Sequence, residues 1–91
     1  MYSATTTVIN ATGIHARPAT EFVKKAKTFT SEIKVENLNT PNEKPANAKA
    51  ILGVLRLALV KGTEIRISAE GEDENAAVTE LIQLVESGFG E

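Results

Sequence analysis

The sequence predicts an α+β fold, a two-layer sandwich with three helices packed on one face of a four-stranded antiparallel sheet. Three observations carry this expectation. "SEIKVEN" (31–37) and "TEIRISAEG" (63–71) alternate apolar and polar residues, the mark of strands with one covered face. Ala19, Phe22, Val23 and Ala26, and again Val78, Leu81, Ile82 and Val85, recur at helical spacing. The patterns interleave as β-α-β-β-α-β-α within 91 residues, the size of one domain (1–91), so they must share one core.

Taken in order, residues 2–10 are β-branched and polar, a strand composition that Gly13 interrupts. A helix is expected over 16–29. Pro18 lies in its first turn, where a missing N–H costs little, and Lys24, Lys25 and Lys27 crowd its last half, where cations complement the dipole. The second strand follows at 31–37. "LNTPNEK" (38–44) is a polar turn region containing Pro41, and "KPANA" is a short third strand. Pro45 cannot donate to a ladder, which puts that strand at a sheet edge. "NAKAILGVLRLALVKG" (47–62) is nearly continuously apolar; its length and Ala/Leu content favour a helix, and Gly62 ends it. Leu57, Leu59 and Val60 are expected in the core, while Ile51, Leu52 and Leu55 suit either core or surface. After the strand at 63–71, the last helix spans 72–88. Glu72, Asp73 and Glu74 stand at its start and Gly88 at its C-cap.

Composition excludes several functions. Ten basic and twelve acidic residues are mixed along the chain, so no basic footprint for nucleic acid exists. No cysteine is present, which removes disulfides, thiolate zinc sites and thiol catalysis. No apolar run approaches the ~20 residues of a membrane helix. "MYSATTTVIN" lacks the layout of a signal peptide. The expectation is a soluble cytoplasmic protein without a cofactor and, most simply, a monomer.

The chemistry centres on "GIHARPAT" (13–20). His15 is the only histidine, so a metal site has no second ligand of its kind, and no G-x-S-x-G is present to build a hydrolase triad. His15 falls at or just before the first helical turn. The first N–H groups of a helix lack helical partners and, with the dipole behind them, form a place for an anion. Arg17 adds a planar charged fork suited to phosphate. An imidazole, a guanidinium and helix amides together describe a site where a phosphoryl group rests on a ring nitrogen. Gly13 and Ala16 are small and leave the ring open to a second protein.

"GIHARPA" followed by "FVKKAK", then "NAKAILGVLRLALVKGTEIRISAEGEDE", resembles the histidine-containing phosphocarrier (HPr) family of the bacterial sugar phosphotransferase system over nearly the whole chain. The resemblance implies an open-faced β-sandwich with sheet order 1-4-2-3. It implies that His15 accepts a phosphoryl group on Nδ1 from phosphorylated Enzyme I and passes it to sugar-specific IIA domains. Arg17 steadies the group, Ala16 and Arg17 supply the helix N-terminus, and Pro18 fixes entry to the helix. Matching positions imply a docking face from Ala16, Arg17, Thr20, Lys24 and Lys27 of the first helix and Ala50, Ile51, Leu52 and Leu55 of the middle one. An apolar centre with a basic rim suits a transient, negatively charged partner.

Three departures stand out. The family commonly has a regulatory serine where this chain has Ala50, and no Ser or Thr lies between 41 and 62, so regulation by HPr kinase there is not expected. The same change removes a good N-cap, leaving Asn47 as a substitute if the helix starts early. The turn "NLNTPNEK" is about four residues longer than the family usually carries, a change that hairpins tolerate. Ala58 replaces a frequent glycine, which points to a longer, stiffer middle helix. Two other readings stay open: a carrier for a nitrogen-linked or dihydroxyacetone-linked phosphotransferase system, and a docking-only regulatory module. An enzyme with turnover is disfavoured, since no acid–base pair or cofactor motif accompanies His15.

Overall fold

Period-two alternation decides the sheet. The computed structural model, which describes residues 1–40 and 42–90, contains strands β1 (Tyr2–Thr7), β2 (Glu32–Asn37), β3 (Ala46–Asn47) and β4 (Glu64–Glu70) in the order β1-β4-β2-β3. All pairings are antiparallel. Val35 lies opposite Ile67 and Ile33 opposite Ala69, and on the other flank Ala4 lies opposite Ile67. These residues share one face and build the core with Ile65. The opposite face carries Thr5, Arg66 and Glu36 in one cross-strand row and Ser3, Ser68, Lys34 and Asn47 in another. β3 is an edge strand, as Pro45 requires, but only two residues long. The sandwich is the open-faced α+β architecture that the sequence predicts.

The covering layer is α1 (Ala16–Ala26), α2 (Ile51–Arg56) and α3 (Glu74–Glu86). α1 buries Pro18, Ala19, Phe22, Val23 and Ala26, and α3 buries Ala77, Val78, Leu81 and Val85. A 3-10 turn at Gly88–Gly90 then folds Phe89 into the core, Gly88 having φ +68. α1 ends three residues earlier than its pattern predicts. Thr28 N–H donates to the Lys25 carbonyl (3.0 Å) and Phe29 N–H to that of Ala26 (3.2 Å), a tightened last turn that keeps Phe29 packed against the core.

The middle helix corrects the sequence expectation most. It spans six residues, not 47–62. Asn47 belongs to β3. Its side-chain oxygen accepts the Lys49 N–H (2.9 Å) and its carbonyl the Ala50 N–H (3.0 Å), so it makes a turn and does not cap the helix. Ala50 is the N-cap, with an extended backbone and no side-chain hydrogen bond to give. At the other end Leu57 and Ala58 bond back to Val54 and Leu55, and Ala58 takes φ +52, turning the chain out of the helix. Ala58 therefore shortens α2 where a longer helix was expected. Leu57 and Leu59 are buried as expected, but Val60 is 62% exposed. The apolar run crosses from helix to turn to extended chain, so no single period describes it.

Side chains tie the layers together. Asn37 Nδ2 donates to the Leu57 carbonyl at 2.9 Å, joining β2 to the exit of α2. Its Oδ1 accepts the Asn39 N–H at 2.9 Å and starts the turn that leads to β3; Pro41 lies outside the described residues. Asp73, the N-cap of α3, turns its carboxylate away from its own helix. It accepts the N–H groups of Thr30 (2.8 Å) and Ser31 (2.9 Å) and the Ser31 hydroxyl. The Ser31 hydroxyl first, then the Thr30 N–H, lower its pKa from 3.8 to about 2, against a smaller opposing push from desolvation.

Candidate functional site

The loop before α1 is built to present one residue. Asn10, buried at the end of the β1 extension, donates through Nδ2 to the Gly13 carbonyl (2.7 Å) and to Thr12 Oγ1 (3.2 Å), while its own carbonyl accepts the Gly13 N–H (3.0 Å). Gly13 has φ +69, and a Cβ there would stand 2.6 Å from the Leu59 carbonyl oxygen. Only glycine fits such an approach. Ile14 is buried and donates its N–H to the same Leu59 carbonyl at 2.8 Å. The chain is thus pinned on both sides immediately before His15.

His15 is the N-cap of α1, with φ −147 and ψ 155. Its side chain makes no capping hydrogen bond and is exposed, so the imidazole is presented outward. Ala16 opens the helix at φ +51, a left-handed conformation that costs an L-residue roughly 1–2 kcal/mol. Pro18 is buried in the first turn, as expected, and contributes no N–H. The Thr20 hydroxyl donates to the Ala16 carbonyl at 3.2 Å. Arg17 Nη1 lies 2.8 Å from Glu21 Oε1, one turn along the exposed side of α1.

The docking residues expected from the two helices converge in part. Thr20, Val23, Lys24, Lys27 and Ile51 line a groove of about 360 Å³ between α1 and α2. Beside it Leu52 is 78% exposed and Ile51 37%, Leu55 is half-buried against the core, and Ala50 is exposed. These placements resolve the choice between core and surface: Ile51 and Leu52 face outward, and Leu55 divides between the two. Lys25 is engaged elsewhere, 2.8 Å from Glu80. Lys49 Nζ donates to the Phe29 carbonyl at 2.7 Å and ties the approach to α2 to the end of α1. No group of three or more His, Cys, Asp or Glu among the described residues can hold a metal ion, and no helix among them is long and apolar enough to cross a membrane.

Reasoning from sequence missed Asn10, Leu59 and Glu21. Asn10 stands three residues before a glycine in a short polar loop, a turn signal. Glu21 is four residues after Arg17, the spacing of a helical ion pair. Leu59 acts through its backbone, which no residue type announces.

Fold and loop together define a protein class: a small open-faced α+β sandwich organised around one outward-facing histidine at a helix N-terminus. Residues 2–87 match the family described as the PTS HPr component phosphorylation site. The chain is 47% identical to the phosphocarrier protein HPr of Haemophilus influenzae over 93% of its own length and 95% of that protein. It superposes on the crystal structure of HPr-C-His from Thermoanaerobacter tengcongensis with a TM-score of 0.92 at 45% identity, covering 100% of this chain and 98% of that one. A crystal structure of an HPr dimer from the same organism superposes with a TM-score of 0.76 at 44% identity, covering 100% of both chains. The chain belongs to the HPr family, the phosphocarrier component of the phosphotransferase system, and is a carrier, not an enzyme.

Proposed function

We propose that His15 takes a phosphoryl group from phosphorylated Enzyme I and hands it to a sugar-specific IIA domain. The observation that carries this reading is the outward-facing imidazole at the N-cap of α1, free of any capping bond, on a loop pinned by Asn10, Gly13 and Leu59. Phosphoryl transfer asks little covalent chemistry of a protein and much positioning. The incoming N–P bond forms at the imidazole as the donor's bond to phosphorus breaks. The phosphoryl oxygens settle toward the N–H groups of Ala16 and Arg17 at the helix start, and the Arg17 guanidinium is near enough in sequence to pair with them. Nothing else in the loop can give or take a proton, so the partner proteins supply the rest of the catalysis.

The groove between α1 and α2 supplies the docking surface. Ile51, Leu52 and Leu55 offer apolar contact, Thr20 lines the groove, Ala50 is exposed at the start of α2, and Lys24 and Lys27 form a basic rim for an acidic partner. Ala50 has no hydroxyl and cannot accept phosphate from HPr kinase. The carrier acts as a cytoplasmic monomer and as one domain over 1–91; size-exclusion chromatography with light scattering checks the monomer, against the dimeric relative described above.

The test is phosphorylation itself. The protein is mixed with Enzyme I, Mg²⁺ and phosphoenolpyruvate, and its intact mass is followed beside His15→Ala. One acid-labile phosphoryl group on the parent and none on the variant is the expected result. A folded parent that stays unmodified with every competent Enzyme I, those of the parallel phosphotransferase systems included, overturns the carrier reading and favours the docking module.

A further inference from the structure

We infer that Glu21 is a positioning residue for the carrier chemistry: it is a resting counter-ion of Arg17, and the phosphoryl group must draw Arg17 away from it. The inference rests on the reading of His15 as the phosphoryl acceptor. Arg17 Nη1 and Glu21 Oε1 are 2.8 Å apart, on side chains that are both open to solvent. The pair is an i,i+4 contact on the first two turns of α1, so it directs the guanidinium up the helix, away from the N-terminus where His15 sits. A phosphoryl group carries more negative charge than a carboxylate and offers more acceptor oxygens, so it competes successfully for the same fork.

The exchange breaks no covalent bond. The ion pair with Glu21 opens and one with the phosphoryl group closes, and the Glu21 carboxylate is left in water on the same helix as the new charge, six residues after His15. Both terms oppose the phosphorylated state relative to a chain with a neutral residue at 21. Glu21 therefore makes the phosphoryl group easier to give away, a useful property in a carrier that must donate as well as accept. Being exposed, the pair is weak, so the expected effect is about twofold in the phosphorylation equilibrium, in line with surface i,i+4 pairs.

The experiment holds the protein at a fixed ratio of phosphoenolpyruvate to pyruvate with catalytic Enzyme I. The ratio of phosphorylated to unphosphorylated protein is read by intact mass, and the hydrolysis of the isolated phosphorylated form is timed. Glu21→Gln is expected to raise the ratio about twofold and to slow hydrolysis. Glu21→Asp, which keeps the charge, is expected to return both toward the parent. In an Arg17→Ala background the Gln substitution is expected to lose most of its effect. An unchanged ratio in Glu21→Gln overturns the inference. So does a shift of equal size without Arg17, which would mean simple charge repulsion. A parent protein that takes no phosphoryl group at all overturns the reading of His15, and this inference with it, and is separable from the other outcomes because it appears before any variant is compared. Circular dichroism of each variant excludes loss of fold as the cause.

Discussion

Two alanines sit where an L-amino acid is uncomfortable, and they differ in what the site can gain from them. Ala16, at φ +51, opens α1 directly after His15. Ala58, at φ +52, turns the chain out of α2 on the exposed surface. Left-handed backbone costs an L-residue roughly 1–2 kcal/mol, and glycine escapes that cost while giving back part of it through a looser unfolded chain. Ala58→Gly is therefore expected to stabilise the protein by about 0.5–1 kcal/mol and to raise Tm by about 2–6 °C in a thermal melt. An unchanged or lower Tm would mean that the turn is not strained. The family resemblance implied only that Ala58 stands where a glycine is frequent; that the helix ends there is a matter of backbone angle, which alanine does not advertise. His15 was readable from its neighbours alone. The residues that aim it were not: Asn10 and the Leu59 carbonyl act across the fold, at a distance that local pattern does not span.

At the scale of elements, alternation proved a better guide than apolar content. Ile33 and Val35, and Ile65, Ile67 and Ala69, all point inward as period two requires. In α1 and α3 the helical period likewise identifies the buried face. Between 47 and 62 the run has no clear period, and there the predicted helix was too long at both ends. The same ambiguity has an experimental consequence. Leu57 is buried and Leu52 is 78% exposed, although they are five residues apart in one apolar run. Leu57→Ala is expected to cost about 2–5 kcal/mol in a denaturant titration, the range for a buried leucine. Leu52→Ala is expected to change stability by no more than about 0.5 kcal/mol and instead to slow phosphoryl transfer from Enzyme I through a raised KM. Equal destabilisation by both would place Leu52 in the core and remove it from the docking surface.

The layers of the molecule are tied by a link between segments more than forty residues apart in the chain. Asp73 at the start of α3 holds the backbone and hydroxyl at 30–31, on the approach to β2. Folding lowers the proton affinity of this carboxylate, its pKa falling from 3.8 to about 2, so the unfolded chain takes up the proton first as pH falls. The contribution is present in full above the unfolded value and is lost as pH drops from about 4 toward 2. Asp73→Asn is expected to lower Tm at pH 7 and to flatten the fall of Tm over that acidic window. A variant that keeps the parent's slope there would assign the acid sensitivity to other carboxylates. The site itself does not take part in this link, so the variant is expected to keep its His15 chemistry.

All three helices lie on one side of the sheet, and His15 and the groove between α1 and α2 belong to that layer. The other side, with Ser3, Thr5, Lys34, Arg66 and Ser68, is left bare. The molecule thus has a front and a back, and the back is a handle. Because the chain holds no cysteine, a single thiol placed at Thr5 would be its only one. The carrier could be fixed to a bead or a sensor chip by that thiol with His15 and the groove still turned toward the solution.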